Sequence, residues 1–154
     1  PNIEVLPTEV TTSHFSKQAG LIDQATLDKM ELGTKIHYYL EMLDFKNPDY
    51  TSVDNKYINK IKTFIDSPLL KNIKEAKIFK EYEFMDDGKH GFIDLLLEYE
   101  DKIVIIDYKT KTIDDVHYDE QLNGYRTYIE SLTSKPVYCF LYSIIDETYR
   151  EVEK

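Results

Sequence analysis

Two aspartates stand in strand-like segments that are otherwise apolar. Asp94 lies in Gly91-Phe92-Ile93-Asp94-Leu95-Leu96-Leu97, and Asp107 follows Val104-Ile105-Ile106 and precedes Tyr108-Lys109-Thr110. Burying a carboxylate there is costly unless a partner or a cation offsets it. Side chains alternate along a strand, so Asp107 and Lys109 share one face and Tyr108 takes the other. A two-residue turn at Glu100-Asp101 sets Tyr99 against Lys102, and counting back along both strands brings Asp94 opposite Asp107. Their Cβ atoms would then be about 5 Å apart, close enough for like charges to destabilise the sheet. A divalent cation, helped by Lys109, would neutralise the pair, and hard oxygen ligands favour Mg²⁺ or Mn²⁺ over zinc. The competing reading of the same residues is two surface carboxylates at strand ends with Lys109 as salt-bridge partner.

Two helical segments carry further polar groups. In Gly33-Thr34-Lys35-Ile36-His37-Tyr38-Tyr39-Leu40-Glu41, His37 and Glu41 fall at i and i+4 on one helical face. Tyr118, Gln121, Tyr125 and Tyr128 recur at helical spacing and form a polar-aromatic stripe, which also suits a half-buried amphipathic helix. His14, His90 and His117 carry no comparable pattern. They are read as an exposed helical residue, a residue beside a turn and a residue at a helix start.

These residues need elements to hold them. Thr8 is a cap for a helix from Glu9 to Lys17. Leu32, Ile36, Leu40 and Leu43 give helical periodicity to a segment from about Thr26 to Phe45, broken by Asn47-Pro48. A helix is expected over roughly Val53 to Ile65, and Ser67 is the expected cap of a short helix that opens on Pro68 and runs to Lys71. The pattern then turns strand-like over Ile78–Phe84, with a turn signal at Asp86-Asp87-Gly88-Lys89. Strands follow over Phe92–Tyr99 and Ile103–Tyr108. A helix is expected over about Tyr118–Leu132, a buried strand over Val137–Ile145, and a short edge strand after Asp146. The fold class is mixed α/β: a central sheet of at least four strands flanked by helices, with a mainly helical part over residues 1–74 and a sheet-bearing core over 75–154.

Composition narrows the function classes. The chain has 154 residues, enough for one domain with a substantial core. The 13 Tyr and 7 Phe argue against intrinsic disorder. A single cysteine, Cys139, in the apolar setting Val137–Leu141, rules out an internal disulfide, a structural zinc site built on cysteines and an iron–sulfur cluster ligated by this chain alone. No run approaches the ~18 apolar residues of a membrane helix, and no secretory signal is present. The expectation is a cytoplasmic protein, and Pro1 in place of Met points to a fragment or a processed chain. The net charge of −10 would repel a nucleic-acid backbone, but residues 46–80 carry 8 basic and 4 acidic side chains, a local net of +4. The favoured reading of that stretch is nevertheless a solvated lysine-rich helix.

Taken in order, Gly33…His37-x-x-Leu40-Glu41, Gly91-x-x-Asp94, Asp107-Tyr108-Lys109-Thr110 and Gln121-Leu122-x-x-Tyr125 resemble the RecB-like nuclease domain of the PD-(D/E)XK superfamily. The resemblance runs roughly from Pro7 to Ile145. This domain commonly forms the C-terminal part of AddA/RecB-type helicase–nucleases of bacterial or phage-related origin, and its fold is restriction-endonuclease-like. The resemblance implies that His37, Asp94 and Asp107 bind Mg²⁺, for which Mn²⁺ can substitute, with the backbone carbonyl of Tyr108 as a further ligand and Lys109 as the catalytic lysine. It implies that Gln121 and Tyr125 support the site and touch DNA. Glu81 matches a less regular upstream glutamate, with Glu83 the competing choice, and Glu81 and Glu41 join the residues that support the site or touch DNA. The position after Asp-Tyr-Lys-Thr, usually acidic or Asn in the family, is Lys111. The implied activity is phosphodiester hydrolysis of single-stranded DNA, exonucleolytic within a helicase–nuclease for double-strand-break repair. The implied partners are DNA and the helicase domains of the same polypeptide or of a partner subunit. Two alternatives have the same fold: a stand-alone phage-type or repair exonuclease, and a catalytically silent binding module.

Overall fold

The computed structural model describes residues 31–154. The expected helix Glu9–Lys17 with its Thr8 cap, His14, and the start of the helix from Thr26 lie outside the described residues. Helix α1 spans Leu32–Met42 and buries Ile36, Tyr39 and Leu40. It ends short of the expected Phe45. Leu43 takes an extended conformation, and Asp44 starts a turn in which its carboxylate accepts from Lys46 N and its carbonyl from Asn47 N. The turn swings Phe45 into the core against Phe64, a burial that continued helix would not allow. The ammonium of Lys80 closes the helix end by donating to the Glu41 and Leu43 carbonyls, as expected of a cation at a helix C-terminus.

Helix α2 spans Asn55–Ile65, with the Asp54 carboxylate capping Lys56 N and Ile61, Phe64 and Ile65 buried. Its outward face carries Lys56 and Lys62, which are exposed, and Lys60, which is half-buried. Pro68–Leu70 is a single 3₁₀ turn rather than a helix to Lys71, and the Ser67 side chain makes no capping bond. A second 3₁₀ turn, Ile73–Glu75, leads into the sheet.

Among the described residues the sheet has five strands in sequential order: β1 (Lys77–Asp86), β2 (Lys89–Glu98), β3 (Ile103–Lys109), β4 (Val137–Ser143) and β5 (Thr148–Val152). All neighbours are antiparallel except β3 and β4, which are parallel. Parallel neighbours need a crossover, and helix α3 (Val116–Glu130) supplies it. Asp87 and Gly88 turn the β1–β2 hairpin with φ of 51° and 77°, the double left-handed conformation favoured in two-residue hairpin loops. The β2–β3 ladder runs from Glu98↔Ile103 to Leu95↔Ile106, the register that a two-residue Glu100-Asp101 turn predicts.

The sheet separates two apolar cores. One packs α1 and α2 on Leu95, Leu97, Val104, Ile106 and Tyr108. The other packs Leu122, Tyr125 and Ile129 of α3 on Leu96, Ile103, Ile105, Cys139 and Leu141. Alternation fails at one point. Phe79 and Tyr82 of β1 lie in the α3-side core, as do Ile93 and Leu96 of β2, although strict alternation would put the members of each pair on opposite faces. The fault falls at Glu81 and Asp94.

Candidate functional site

The fault in the β1–β2 ladder is where the acids collect. Every paired position from Lys77↔Glu98 to Asp86↔Lys89 is present except the one that would join Glu81 to Asp94. Glu81 adopts φ 50°, a left-handed conformation uncommon for a side chain other than Gly, Asn or Asp. Such a conformation costs on the order of 1–3 kcal/mol and persists where the surroundings enforce it, often at functional sites. On its other side Asp94 stands one step beyond the last β2–β3 pair. There its Oδ2 accepts from Tyr108 N at 3.0 Å and so satisfies the backbone where the ladder ends.

Four elements converge on this opening. From α1, His37 Nδ1 lies 3.5 Å from Asp94 Oδ1, and its ring rests 5.4 Å from that of Tyr108. His37 also hydrogen-bonds the Tyr108 backbone carbonyl, which brings the third expected ligand group to the same place. His37, Glu81 and Asp94 each offer a ligand atom, and the three atoms lie within 4.8 Å of one another. Asp107 is outside that trio, but its carboxyl is in hydrogen-bonding contact with that of Asp94. Lys109 Nζ lies 2.9 Å from Asp107 Oδ2 as an ion pair without aligned hydrogen-bond geometry.

The stripe on α3 completes the arrangement from the other face. Gln121 Oε1 accepts from Lys109 Nζ at 3.2 Å, and the same ammonium sits over the Tyr118 ring at 4.4 Å. Tyr125 hydrogen-bonds Gln121, and its hydroxyl is held above its ordinary pKa by burial and then by the charges of Asp107, Asp94 and Glu81. Tyr128 instead packs on Phe84 of the hairpin. Glu41 is close enough to Glu81 and Tyr108 to act on both electrostatically. Glu83, the alternative to Glu81, faces away and pairs with His90 at 2.5 Å. Residue types alone do not single out two contributors. Tyr118, under the ammonium, is visible in the sequence only as one ring of the stripe. Gly33 lets α1 come close, since a Cβ there would stand 3.3 Å from Thr110 Oγ1, just past Lys109.

The electrostatics are those of acids crowded without a counter-ion. Burial pushes Glu81 up to about 7 against its hydrogen bond to Asp94, and burial likewise pushes Asp94 up to about 7. Asp107 is raised well above the carboxylate range by burial and then by the charge of Asp94, against the pull of Lys109. Burial lowers His37, opposed by Asp107, so its imidazole is available as a neutral ligand. Three carboxyls and an imidazole that cannot all ionise in isolation suit a hard divalent cation, which would relieve the repulsion. His37 and Lys109 are 26% and 20% exposed, so the cluster is open to solvent.

A mixed α/β sheet with this cluster at a strand opening defines a domain with a candidate metal centre on its surface. The chain is similar to a segment of bacterial ATP-dependent helicase/nuclease subunits. It is 29% identical to that of Ruminiclostridium cellulolyticum over 178 residues, covering 86% of this chain and 14% of that protein. It is 30% identical to that of Clostridium beijerinckii, covering 80% of this chain and 14% of the relative. The match to Clostridium acetobutylicum is 26% identical over 86% of this chain and 15% of the relative. The chain is thus related to helicase/nuclease subunits and spans 14% to 15% of the length of the curated relatives it matches. No family model matches it. Among the described residues no helix is long and apolar enough to cross a membrane.

Proposed function

We propose that the chain is the nuclease domain of a helicase–nuclease, a Mg²⁺-dependent deoxyribonuclease acting on single-stranded DNA. The whole of residues 1–154 belongs to that one domain. The observation that carries the reading is the convergence of His37, Glu81 and Asp94 from three elements, with Asp107 and Lys109 beside them. His37, Asp94 and Asp107 would hold the cation, with Glu81 and the Tyr108 carbonyl next to it. Bound there, a divalent cation neutralises charge on the phosphate and makes a water more acidic.

The chain's own residues supply the rest. Lys109 is held by Asp107 and Gln121 with its ammonium at the edge of the acid cluster, where it can orient a water and offset negative charge growing on the phosphate oxygens. The Tyr118 ring beneath it and Gln121 beside it restrict where that ammonium can go. Cys139 takes no part. It is buried, and burial pushes its thiol up to about 11.

The acidic surface suits delivery of the strand by helicase domains of the same polypeptide or a partner subunit, with the basic 46–80 segment lining the approach. Exonucleolytic cleavage during double-strand-break repair in a bacterial cytoplasm is the setting that fits the helicase/nuclease relatives. The test is degradation of single-stranded DNA by the purified chain with Mg²⁺ or Mn²⁺. Activity is expected to vanish with chelator and to fall about 100-fold or more in Lys109→Ala. Full cleavage by folded Lys109→Ala protein would overturn the assignment.

A further inference from the structure

Beside the acid cluster, between the β1–β2 hairpin and α3, lies a groove of about 510 Å³. Phe84 and Gly91 form its hairpin wall, and Gln121, Gly124 and Tyr125 its helix wall. Gln121 is the residue that holds the Lys109 ammonium, and Tyr125 feels the charges of all three acids, so the groove opens directly onto the site. Gly124 lies in the interior of a fifteen-residue helix, where glycine is less favourable than alanine. Neither backbone conformation nor packing demands it, because a Cβ at Gly124 would meet nothing within 4 Å. Its effect is to keep the helix surface low along the groove.

We propose that this groove holds one unpaired nucleobase of the strand whose phosphate lies at the acid cluster, a proposal that rests on the nuclease reading above. The volume falls in the roughly 300–1,000 Å³ range of small-ligand pockets. The lining charge selects the base rather than the backbone. The carboxylates of Asp86 and Glu120 line the groove and would repel a phosphate. A base is uncharged, has flat apolar faces suited to the single apolar floor that Phe84 and Tyr125 make where their rings meet edge to face at 5.6 Å, and carries amino N–H groups that carboxylates accept. A base paired and stacked in a duplex cannot enter, so the groove selects single strands.

The test is a size series on the full chain: Gly124→Ala, Gly124→Leu and Gly124→Phe. Binding of a fluorescein-labelled ten-nucleotide single strand is followed by anisotropy with Ca²⁺ in place of Mg²⁺, against a duplex of the same sequence, and Mn²⁺ uptake is followed by calorimetry. Alanine is expected to bind the single strand like the parent. Leucine and phenylalanine are expected to weaken it about tenfold or more, the loss typical of one stacked base, with Mn²⁺ uptake unchanged. If Gly124→Phe does not fold, Thr127→Trp fills the same groove from the next turn. Single-strand binding by the folded leucine and phenylalanine variants at parental affinity would overturn the groove while leaving the nuclease reading intact. A parent chain that takes up no Mn²⁺ would overturn that reading first, and the groove with it.

Discussion

Glu81 and Asp94 face each other across the β1–β2 hairpin at the position where its pairing is interrupted, and the interruption turns both toward His37. The strands carry the same offset on either side of it, so the fault does not shift the register. It changes which face the following residues present, and so gathers two carboxyls at one opening.

If the left-handed backbone at Glu81 is enforced by its neighbours, removing the Cβ should relieve it. Metal-free Glu81→Gly is expected to be more stable than Glu81→Ala by about 1 kcal/mol, while both lose Mn²⁺ affinity relative to the parent. Urea unfolding of the two variants, with calorimetry for the metal, measures this. Equal stability would mean the φ of 50° carries no strain.

The metal-free protein should lose stability as pH rises. Glu81 and Asp94 titrate near 7 when folded, against ordinary values of 4.5 and 3.8. Between those limits the folded state holds more protons than the unfolded one, so their contribution is fully present below the lower values and is lost as pH climbs through 7. With chelator, the melting temperature is expected to fall between about pH 5 and about pH 8, and saturating Mg²⁺ should flatten the trend. A melting temperature that rises over this range with chelator present would contradict the crowding of the acids.

Asp107→Asn should separate stability from function. Asp107 is 3% exposed and its carboxyl is raised well above the usual carboxylate range by burial and by the charge of Asp94, so a neutral amide of the same shape suits the metal-free fold. The variant is expected to melt at or a few degrees above the parent and to lose about 100-fold or more in cleavage. Thermal melts and single-strand degradation assays, run in parallel, check both halves. A large drop in melting temperature would show that the Lys109 ion pair outweighs the repulsion.

The close approach of α1 to the loop after β3 should tune the site from outside it. In Gly33→Ala the new methyl meets Thr110, so the helix or the threonine must give by a few tenths of an ångström. Better helix propensity, up to about 1 kcal/mol, offsets the crowding, so stability should change little. Mn²⁺ affinity should fall as His37 is displaced, and Thr110→Ala in the same chain, which removes the Oγ1 that the new methyl meets, should restore part of it. A double-mutant cycle on the calorimetric affinities tests this.

Much of the site could be read along the chain because its rules are local. The two-residue turn at Glu100-Asp101 fixes the β2–β3 register, alternation puts Lys109 on the face of Asp107, and helical spacing aligns Gln121 with Tyr125. The helix ends were less legible. Whether α1 ran on to Phe45 depended on a core contact with Phe64 and on Lys80, 37 residues from Leu43 in sequence. What only the tertiary structure decided was convergence: that Glu81 rather than Glu83 turns inward, that α1 closes on Thr110 to bring His37 to Asp94, and that α3 leaves an open groove at Gly124. Turn length and side-chain period are properties of neighbouring residues and are written into their order. The position of an imidazole relative to a carboxyl 57 residues away is set by how two faces of a sheet are packed, and that is decided by the whole core at once.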